Sequence, residues 1–215
     1  MLPRGDGVRV TLSDGSSFDV SHELHYELSL ESGHSLSAEE AGRLRFAASL
    51  REAQERALAL LARSQHTRKE LGQKLERRGY PAEVVSLVIA RLDELRYLDD
   101  ARAAGLWVEH RLERHPEGRA ALLAGLLRHG VPRETAVEAV DARLPPSEEV
   151  VVARRVLARL YSTAAALEAL RGEPGRSRAL ARLATRGFSR ASSRAALPAR
   201  APNGEREDDR GEEEG

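Results

Sequence analysis

The sequence predicts a mainly α protein: tandem three-helix repeats stacked into an elongated curved rod, preceded by a small N-terminal β-hairpin segment. Two observations carry this prediction. Three segments resemble one another and each ends in a glycine, at positions 79, 130 and 187. Before the first of them, residues 8–12 and 17–20 alternate apolar and polar side chains, which is typical of strands. With 215 residues, 41% hydrophobic and 32% charged, the chain is long and apolar enough to bury a core.

The first fifty residues differ from the rest of the chain. Two alternating stretches flank the turn-forming residues 13–16, which predicts a β-hairpin within residues 1–36. An isolated hairpin is marginally stable, so it must pack on a third short strand near residues 27–30 or on the following helix. Ser37 followed by Glu40 is a capping box, which predicts a linking helix over 37–50.

The three-helix repeats are predicted over residues 51–98, 99–146 and 147–200. In each repeat an apolar residue (Leu75, Leu126, Leu183) lies four positions before the glycine, on one helical face. The glycine is expected to take the left-handed conformation that ends a helix. Another helix precedes each of these segments, over 53–64, 99–113 and 147–161. Residues 201–215 are predicted to form a disordered acidic tail.

Charge is balanced overall but uneven along the chain. The 34 basic residues equal the 34 acidic ones in number, so net charge alone indicates no polyanionic partner. Residues 147–200 hold 11 basic and four acidic side chains, whereas 201–215 hold two basic and seven acidic ones. A basic region followed by an acidic tail can bind an anion while the tail competes for the same surface. Improved solubility explains the same distribution equally well.

The sequence lacks the components of an enzyme or a metal site. It has no cysteine, no phosphate-binding glycine loop and no His-Glu-x-x-His motif. His22 and His25 are expected in an extended segment, on opposite faces, which disfavours metal binding. The adjacent Asp99 and Asp100 are expected to cap a helix. The prediction is a non-enzymatic protein without cofactors. The absence of long apolar runs predicts a cytoplasmic location.

Basic helical surface remains as the candidate functional feature. Arg178, Arg182, Arg186, Arg190 and Arg194 recur every four residues, although Gly187 must divide this run between two helices. Guanidinium groups bind phosphates and carboxylates equally well, and a solvated surface is the alternative interpretation. The candidate partner-binding residues are Arg77, Arg78, Arg111, Arg119, Arg128, Arg178, Arg182, Arg186 and Arg190.

These residues resemble the RecX family, whose members modulate the bacterial recombinase RecA. The resemblance covers roughly residues 51–197 and is most specific at 61–71 (LARSQHTRKEL), 96–100 (RYLDD) and 186–188 (RGF). It implies a non-enzymatic protein that lies in the groove of the RecA–DNA filament and inhibits its recombinase, ATPase and SOS co-protease activities. We further expect a monomer with weak direct contact to single- or double-stranded DNA. Gly125 stands where the family usually has a glutamate, and Ser192 and Ser193 stand where the last helix is usually apolar.

Two other interpretations of the residues stay open. Helix-turn-helix units with basic second helices also occur in DNA-binding transcriptional regulators, which dock a helix in the major groove. A general helical scaffold without any nucleic-acid partner is the third. Duplex affinity in the absence of RecA separates the first from a filament-binding protein.

Overall fold

A computed structural model describes residues 7–200, and these residues form two compact units. The first unit comprises residues 7–106 and 127–135, and the second comprises 107–126 and 136–200. The acidic segment 201–215, predicted to be disordered, lies outside the described residues.

The N-terminal hairpin is confirmed. Strands β1 (Gly7–Thr11) and β2 (Ser17–Ser21) pair antiparallel, with Val8 opposite Val20 and Val10 opposite Phe18. Gly15 makes the turn with a φ of +84°, a conformation that glycine adopts without steric cost. The alternation places Val20 in a small core with Leu28, Leu30 and Leu44.

No third strand forms at residues 27–30. The prediction of an extended segment around His22 and His25 is also wrong. Helix α1 (His22–Glu27) begins here because the Ser21 side chain accepts a hydrogen bond from the N–H of Leu24. The two histidines are therefore one helical turn apart. Among residues 7–200, no group of three histidine or acidic side chains could hold a metal ion.

Helix α2 (Ala38–Leu61) begins at the predicted capping box, in which the side chains of Ser37 and Glu40 each accept a hydrogen bond from the other residue's backbone N–H. It runs for 24 residues, so the linking helix expected over 37–50 and the helix expected over 53–64 are one element. No glycine or proline interrupts the chain between them. The helix contributes Leu44 to the hairpin core, and Ala53 and Ala57 to the core of the first repeat.

The glycine-ended repeats are confirmed. Helices α3 (Arg68–Glu76) and α4 (Ala82–Glu94) follow α2, and α5 (Asp100–Arg114), α6 (Arg119–Arg128) and α7 (Arg133–Arg143) form the second set. Gly79, Gly130 and Gly187 have φ values of +90°, +80° and +76°. The apolar residues four positions before them, Leu75, Leu126 and Leu183, are buried.

The last part of the chain contains α8 (Pro146–Leu160), α9 (Ala164–Ala169), α10 (Glu173–Ala184) and α11 (Arg190–Ala196). The short helix α9 was not predicted; it begins where the Thr163 side chain accepts a hydrogen bond from the N–H of Ala166. Helices α8, α10 and α11 pack together around Leu183, Val156 and Leu157. The mainly α, tandem-repeat fold class is therefore confirmed, while the rod shape stays a prediction. No helix among residues 7–200 is long and apolar enough to span a bilayer.

Candidate interaction surface

One arginine occupies the same position in each repeat, eleven residues before the left-handed glycine. These residues are Arg68, Arg119 and Arg176. Each guanidinium reaches the C-terminal end of the last helix of its own repeat. Because a similar contact recurs in all three repeats, we infer that each of these arginines stabilises the packing of helices within its own repeat.

In the first unit, Arg68 at the start of α3 contacts the end of α4 and the start of α5. Its guanidinium pairs with Asp93 near the end of α4 and lies 2.9 Å from Asp100 Oδ2. Its backbone N–H donates to Asp100 Oδ1 over 2.9 Å. Asp100 therefore caps α3, whereas Asp99 caps its own helix by accepting from the N–H of Arg102. The capping role predicted for both aspartates is confirmed, but they cap different helices.

In the second unit, Arg119 makes the corresponding contacts. Its guanidinium pairs with Asp141 on α7 and donates to the carbonyl oxygen of Leu144. Its backbone N–H donates to Glu149 Oε1 over 3.0 Å. In the third repeat, Arg176 Nη1 donates to the carbonyl oxygen of Pro198 over 2.7 Å. Arg119, predicted to bind a partner, thus makes these contacts within the chain.

Glu149 is the most deeply buried acidic side chain described, with 2% of its surface exposed. One of its carboxylate oxygens accepts from the N–H of Arg119 at the start of α6 and from the N–H of Ser189, 3.3 Å away, at the start of α11. Burial raises its pKa, but hydrogen bonds from Ser192 and Ser189 and from the two backbone N–H groups outweigh burial and lower it. Ser192 is thus explained as a donor to a buried carboxylate.

The left-handed turn of one repeat packs on the start of the corresponding helix in the repeat before it. The turn at Gly130 contacts the start of α3, and the turn at Gly187 contacts the start of α6. In the first unit, the Thr67 hydroxyl donates to the carbonyl oxygen of His129 over 2.8 Å. In the second unit, the N–H of Gly118 donates to the carbonyl oxygen of Arg186 over 2.8 Å, and that of Ala120 donates to Gly187 over 3.1 Å. These contacts join consecutive repeats through the backbone.

A buried histidine lies beside the Thr67 contact. His66 is 7% exposed, and its ring nitrogens lie 3.3 Å from Lys74 Nζ. Burial, followed by the positive charge of Lys74, lowers the pKa of His66, and Glu70 opposes the shift. Glu70 also lies 2.6 Å from His129 Nδ1, so this carboxylate connects the first repeat to the turn of the second. The sequence did not reveal this cluster because its members are 63 residues apart at most and share no motif.

The other predicted site residues of the first two repeats fall into three situations. Arg77 and Arg78 are exposed and donate to the carbonyl oxygens of Gln73 and Lys74, at the end of α3. Arg111 pairs with Glu117, and its guanidinium lies 5.6 Å from the centre of the Trp107 ring. Arg128 is exposed. The Trp107 ring packs directly over Gly125, so a Cβ at position 125 would overlap it, which explains the glycine at this position.

The arginines of the third repeat form two groups rather than one continuous stripe. Arg178 and Arg182 lie one turn apart on α10, exposed, and Arg182 lies 5.7 Å from the centre of the Tyr161 ring. Arg186 follows α10 and donates to the carbonyl oxygen of Arg182. Arg190 and Arg194 lie on α11 and border a groove between α10 and α11. The left-handed turn at Gly187 separates the groups, as the sequence required.

Arg119 and Arg128 provide a matched test of which arginines are structural. We expect Arg119→Ala to lower the free energy of unfolding by about 1.5 kcal/mol, because the carbonyl of Leu144 and the carboxylate of Asp141 lose their donor. Arg128→Ala, on the same helix, should leave stability unchanged. Urea unfolding followed by circular dichroism measures both. Equal stability of the two variants would contradict the structural role of Arg119.

Comparisons with known proteins agree with the repeat architecture. A family model described as RecX, first three-helix domain, matches residues 53–92, and one described as RecX, second three-helix domain, matches residues 99–140. The regulatory protein RecX of Treponema pallidum (strain Nichols) is 37% identical over 122 residues, which cover 57% of this chain and 74% of the relative. That of Thermobifida fusca (strain YX) is 37% identical over 135 residues, covering 61% of this chain and 69% of the relative.

Two solved structures share the fold. A crystal structure of a regulatory protein RecX superimposes with a TM-score of 0.64 at 19% identity, covering 85% of this chain and 90% of the other. The RecX structure from Lactobacillus salivarius gives a TM-score of 0.53 at 21% identity, covering 69% of this chain and 94% of the other. At these identities the structures support the fold alone.

Proposed function

Because the chain belongs to the RecX family of regulatory proteins, we propose that it binds the RecA–DNA filament and restrains the recombinase. Restraint would lower strand exchange, filament ATP hydrolysis and SOS co-protease activity together. In this proposal the protein acts in the cytoplasm, as a monomer.

The observation that supports this proposal is the set of exposed arginines in the third repeat. Arg178, Arg182 and Arg190 extend into solvent, and no ion pair joins them to a described carboxylate. This differs from Arg119, which an internal carboxylate neutralises. Unpaired guanidinium groups can form bidentate contacts with carboxylates of a protein or phosphates of DNA, and a nucleoprotein filament presents both.

The proposed mechanism involves occupation of a surface rather than bond making. Contacts from several repeats to neighbouring protomers act as linked binding sites, so individually weak ion pairs add up to tight binding. Arg77 and Arg78 at the end of α3 would add charge from the first repeat. Arg111 and Arg128 are the remaining candidates of the second repeat.

Charge reversal tests the arginine surface. We expect the combined variant Arg178→Glu, Arg182→Glu, Arg186→Glu and Arg190→Glu to abolish inhibition of RecA strand exchange, because attraction to the filament becomes repulsion. Circular dichroism should show unchanged helicity, since these side chains are not part of the core. Undiminished inhibition would contradict the assignment of the binding surface.

A matched pair of double variants controls for net charge. Arg178→Glu with Arg182→Glu changes two exposed residues one turn apart on α10. Arg155→Glu with Arg159→Glu makes the same change on α8, in the same unit. We expect only the α10 pair to weaken inhibition.

The alternative, a helix-turn-helix DNA-binding regulator, makes a different prediction. Such a protein binds duplex DNA without RecA, and its affinity falls steeply with salt concentration as counterions are released. A titration of labelled duplex at several salt concentrations measures this. Tight duplex binding without RecA would favour the regulator over the filament-binding protein.

A further inference from the structure

The groove between α10 and α11 in the second unit has an apolar floor and a basic rim. Its volume is about 390 Å³; the floor is formed by Leu180, Ala181, Ala184 and Phe188, and Arg190 and Arg194 border it. Ser193 also lines the groove; it is 3% exposed, and its hydroxyl has no hydrogen-bond partner among the described residues.

The described part of the chain ends beside the start of α10, the helix whose second half forms the groove floor. Arg200 Nη2 lies 2.9 Å from Glu173 Oε1 at the start of α10, and the carbonyl oxygen of Pro198 accepts from Arg176. Glu173 and Leu180 are seven residues, or two turns, apart and therefore lie on the same side of α10. Arg200, the last described residue, is therefore paired with the side of α10 that forms the groove.

Residues 201–215 carry negative charge, which is complementary to the basic rim. Residues 201–215 contain seven acidic side chains and two arginines, and Ala201 and Pro202 are their only apolar residues apart from glycine. The floor residue Ala184 lies eleven residues along α10 from Glu173, a distance of about 17 Å at 1.5 Å per residue. Five extended residues span about 17 Å, so acidic residues from Glu205 onwards can reach Arg194 and Arg190.

We propose that residues 201–215 bind in the α10–α11 groove, placing their acidic side chains on Arg190 and Arg194 and competing with the filament for this surface. The competition rests on the proposed function, whereas occupation of the groove does not. The tether keeps the acidic segment at a high effective concentration near the groove. Because the contact is electrostatic and exposed, it weakens as salt is added.

Occupation can be measured without any partner. The chain has no cysteine, so Gly211→Cys introduces one site for a nitroxide spin label in the full chain without changing its charge. We expect the label to broaden backbone amide resonances of α11 and of the second half of α10, but not those of the hairpin. The broadening should disappear in about 1 M salt, where the Debye length is about 3 Å.

Two variants of the labelled chain test the contact residues. Arg190→Gln with Arg194→Gln should remove the broadening, and Arg155→Gln with Arg159→Gln on α8 should not. A mixed sample tests whether the segment binds its own chain or a second copy. It combines isotope-labelled wild-type chain without a spin label and spin-labelled chain without isotope label. Broadening in the mixture would assign the groove to the segment of a second copy and overturn the intramolecular contact, as would no broadening in the labelled chain itself.

Competition is measured separately with the full chain. Neutralising the segment by Glu205→Gln, Glu207→Gln, Asp208→Asn, Asp209→Asn, Glu212→Gln, Glu213→Gln and Glu214→Gln should lower the concentration needed for half-inhibition of RecA ATP hydrolysis by about fivefold, the value of two or three exposed ion pairs. Equal inhibition by both chains would overturn competition. If neither chain inhibits RecA while the broadening is present, the proposed function fails and occupation of the groove stands.

Discussion

Replacing Glu149 with alanine is expected to lower the free energy of unfolding of the second unit by about 3 kcal/mol, because several buried donors lose their acceptor at once. The carboxylate accepts from the first N–H of α6 and from the N–H of Ser189 before α11. The hydroxyl of Ser192, which accepts from the hydroxyl of Ser189, also donates to it. No water replaces these contacts cheaply, because the site is closed to solvent.

The neighbouring glutamate supplies the control. Glu148 lies in the first turn of α8, as Glu149 does, but it is exposed. Glu148→Ala should therefore leave the unfolding midpoint in urea nearly unchanged. If Glu149→Ala were no more destabilising than Glu148→Ala, the buried carboxylate would not join α6 to α11.

Glu149 also makes stability depend on pH in a defined direction. Its pKa is lower in the folded chain than in the unfolded chain, so its contribution is complete above about pH 4.3, the pKa of an unfolded glutamate. The contribution is lost as the pH falls through the lower pKa of the folded state. The loss of stability on acidification through this range should be smaller in Glu149→Gln than in the wild-type chain, as urea titrations at successive pH values will show.

Replacing Gly187 with alanine is expected to cost about 3 kcal/mol, since two penalties act at the same residue. Its φ of +76° is unfavourable for a residue with a Cβ. An added Cβ would also overlap the backbone nitrogen of Ala121, at the start of α6. The backbone must move to relieve this overlap, which would break the hydrogen bonds from Gly118 and Ala120.

A substitution at Gly79 measures the conformational penalty without the steric one. It has the same left-handed conformation, with a φ of +90°, but nothing lies within 4 Å of an added Cβ. Gly79→Ala should therefore cost only about 1 kcal/mol, the conformational part. Thermal unfolding of both variants measures the difference. Equal costs would contradict the packing of the Gly187 turn on α6.

The local features of this fold could be predicted from sequence because each depends on neighbouring residues. The hairpin follows from alternation around Gly15, and the start of α2 follows from Ser37 and Glu40. The left-handed glycines follow from their position after a helical apolar face. Helix α1 was missed because the composition of residues 22–27 also suits a strand. The Ser21 hydroxyl accepts from the N–H of Leu24, and this cap favours the helix.

The contacts between repeats could not be predicted in the same way. Arg119 looked like surface charge because its acceptors Asp141 and Glu149 are distant in sequence, and only the fold brings them together. Comparison of positions eleven residues before each glycine would have identified Arg68, Arg119 and Arg176 as equivalent. The role of the buried Ser192 is visible only once the fold places Glu149 beside it.

The most direct test of regulation by filament binding is RecA ATP hydrolysis on single-stranded DNA, titrated with protein well below one copy per RecA protomer. In the proposed function, one bound molecule would block extension or promote disassembly of many protomers. We therefore predict inhibition far below a one-to-one ratio. The chain with the four third-repeat arginines changed to glutamate should not inhibit. Unchanged hydrolysis in the presence of excess wild-type protein would contradict the proposal.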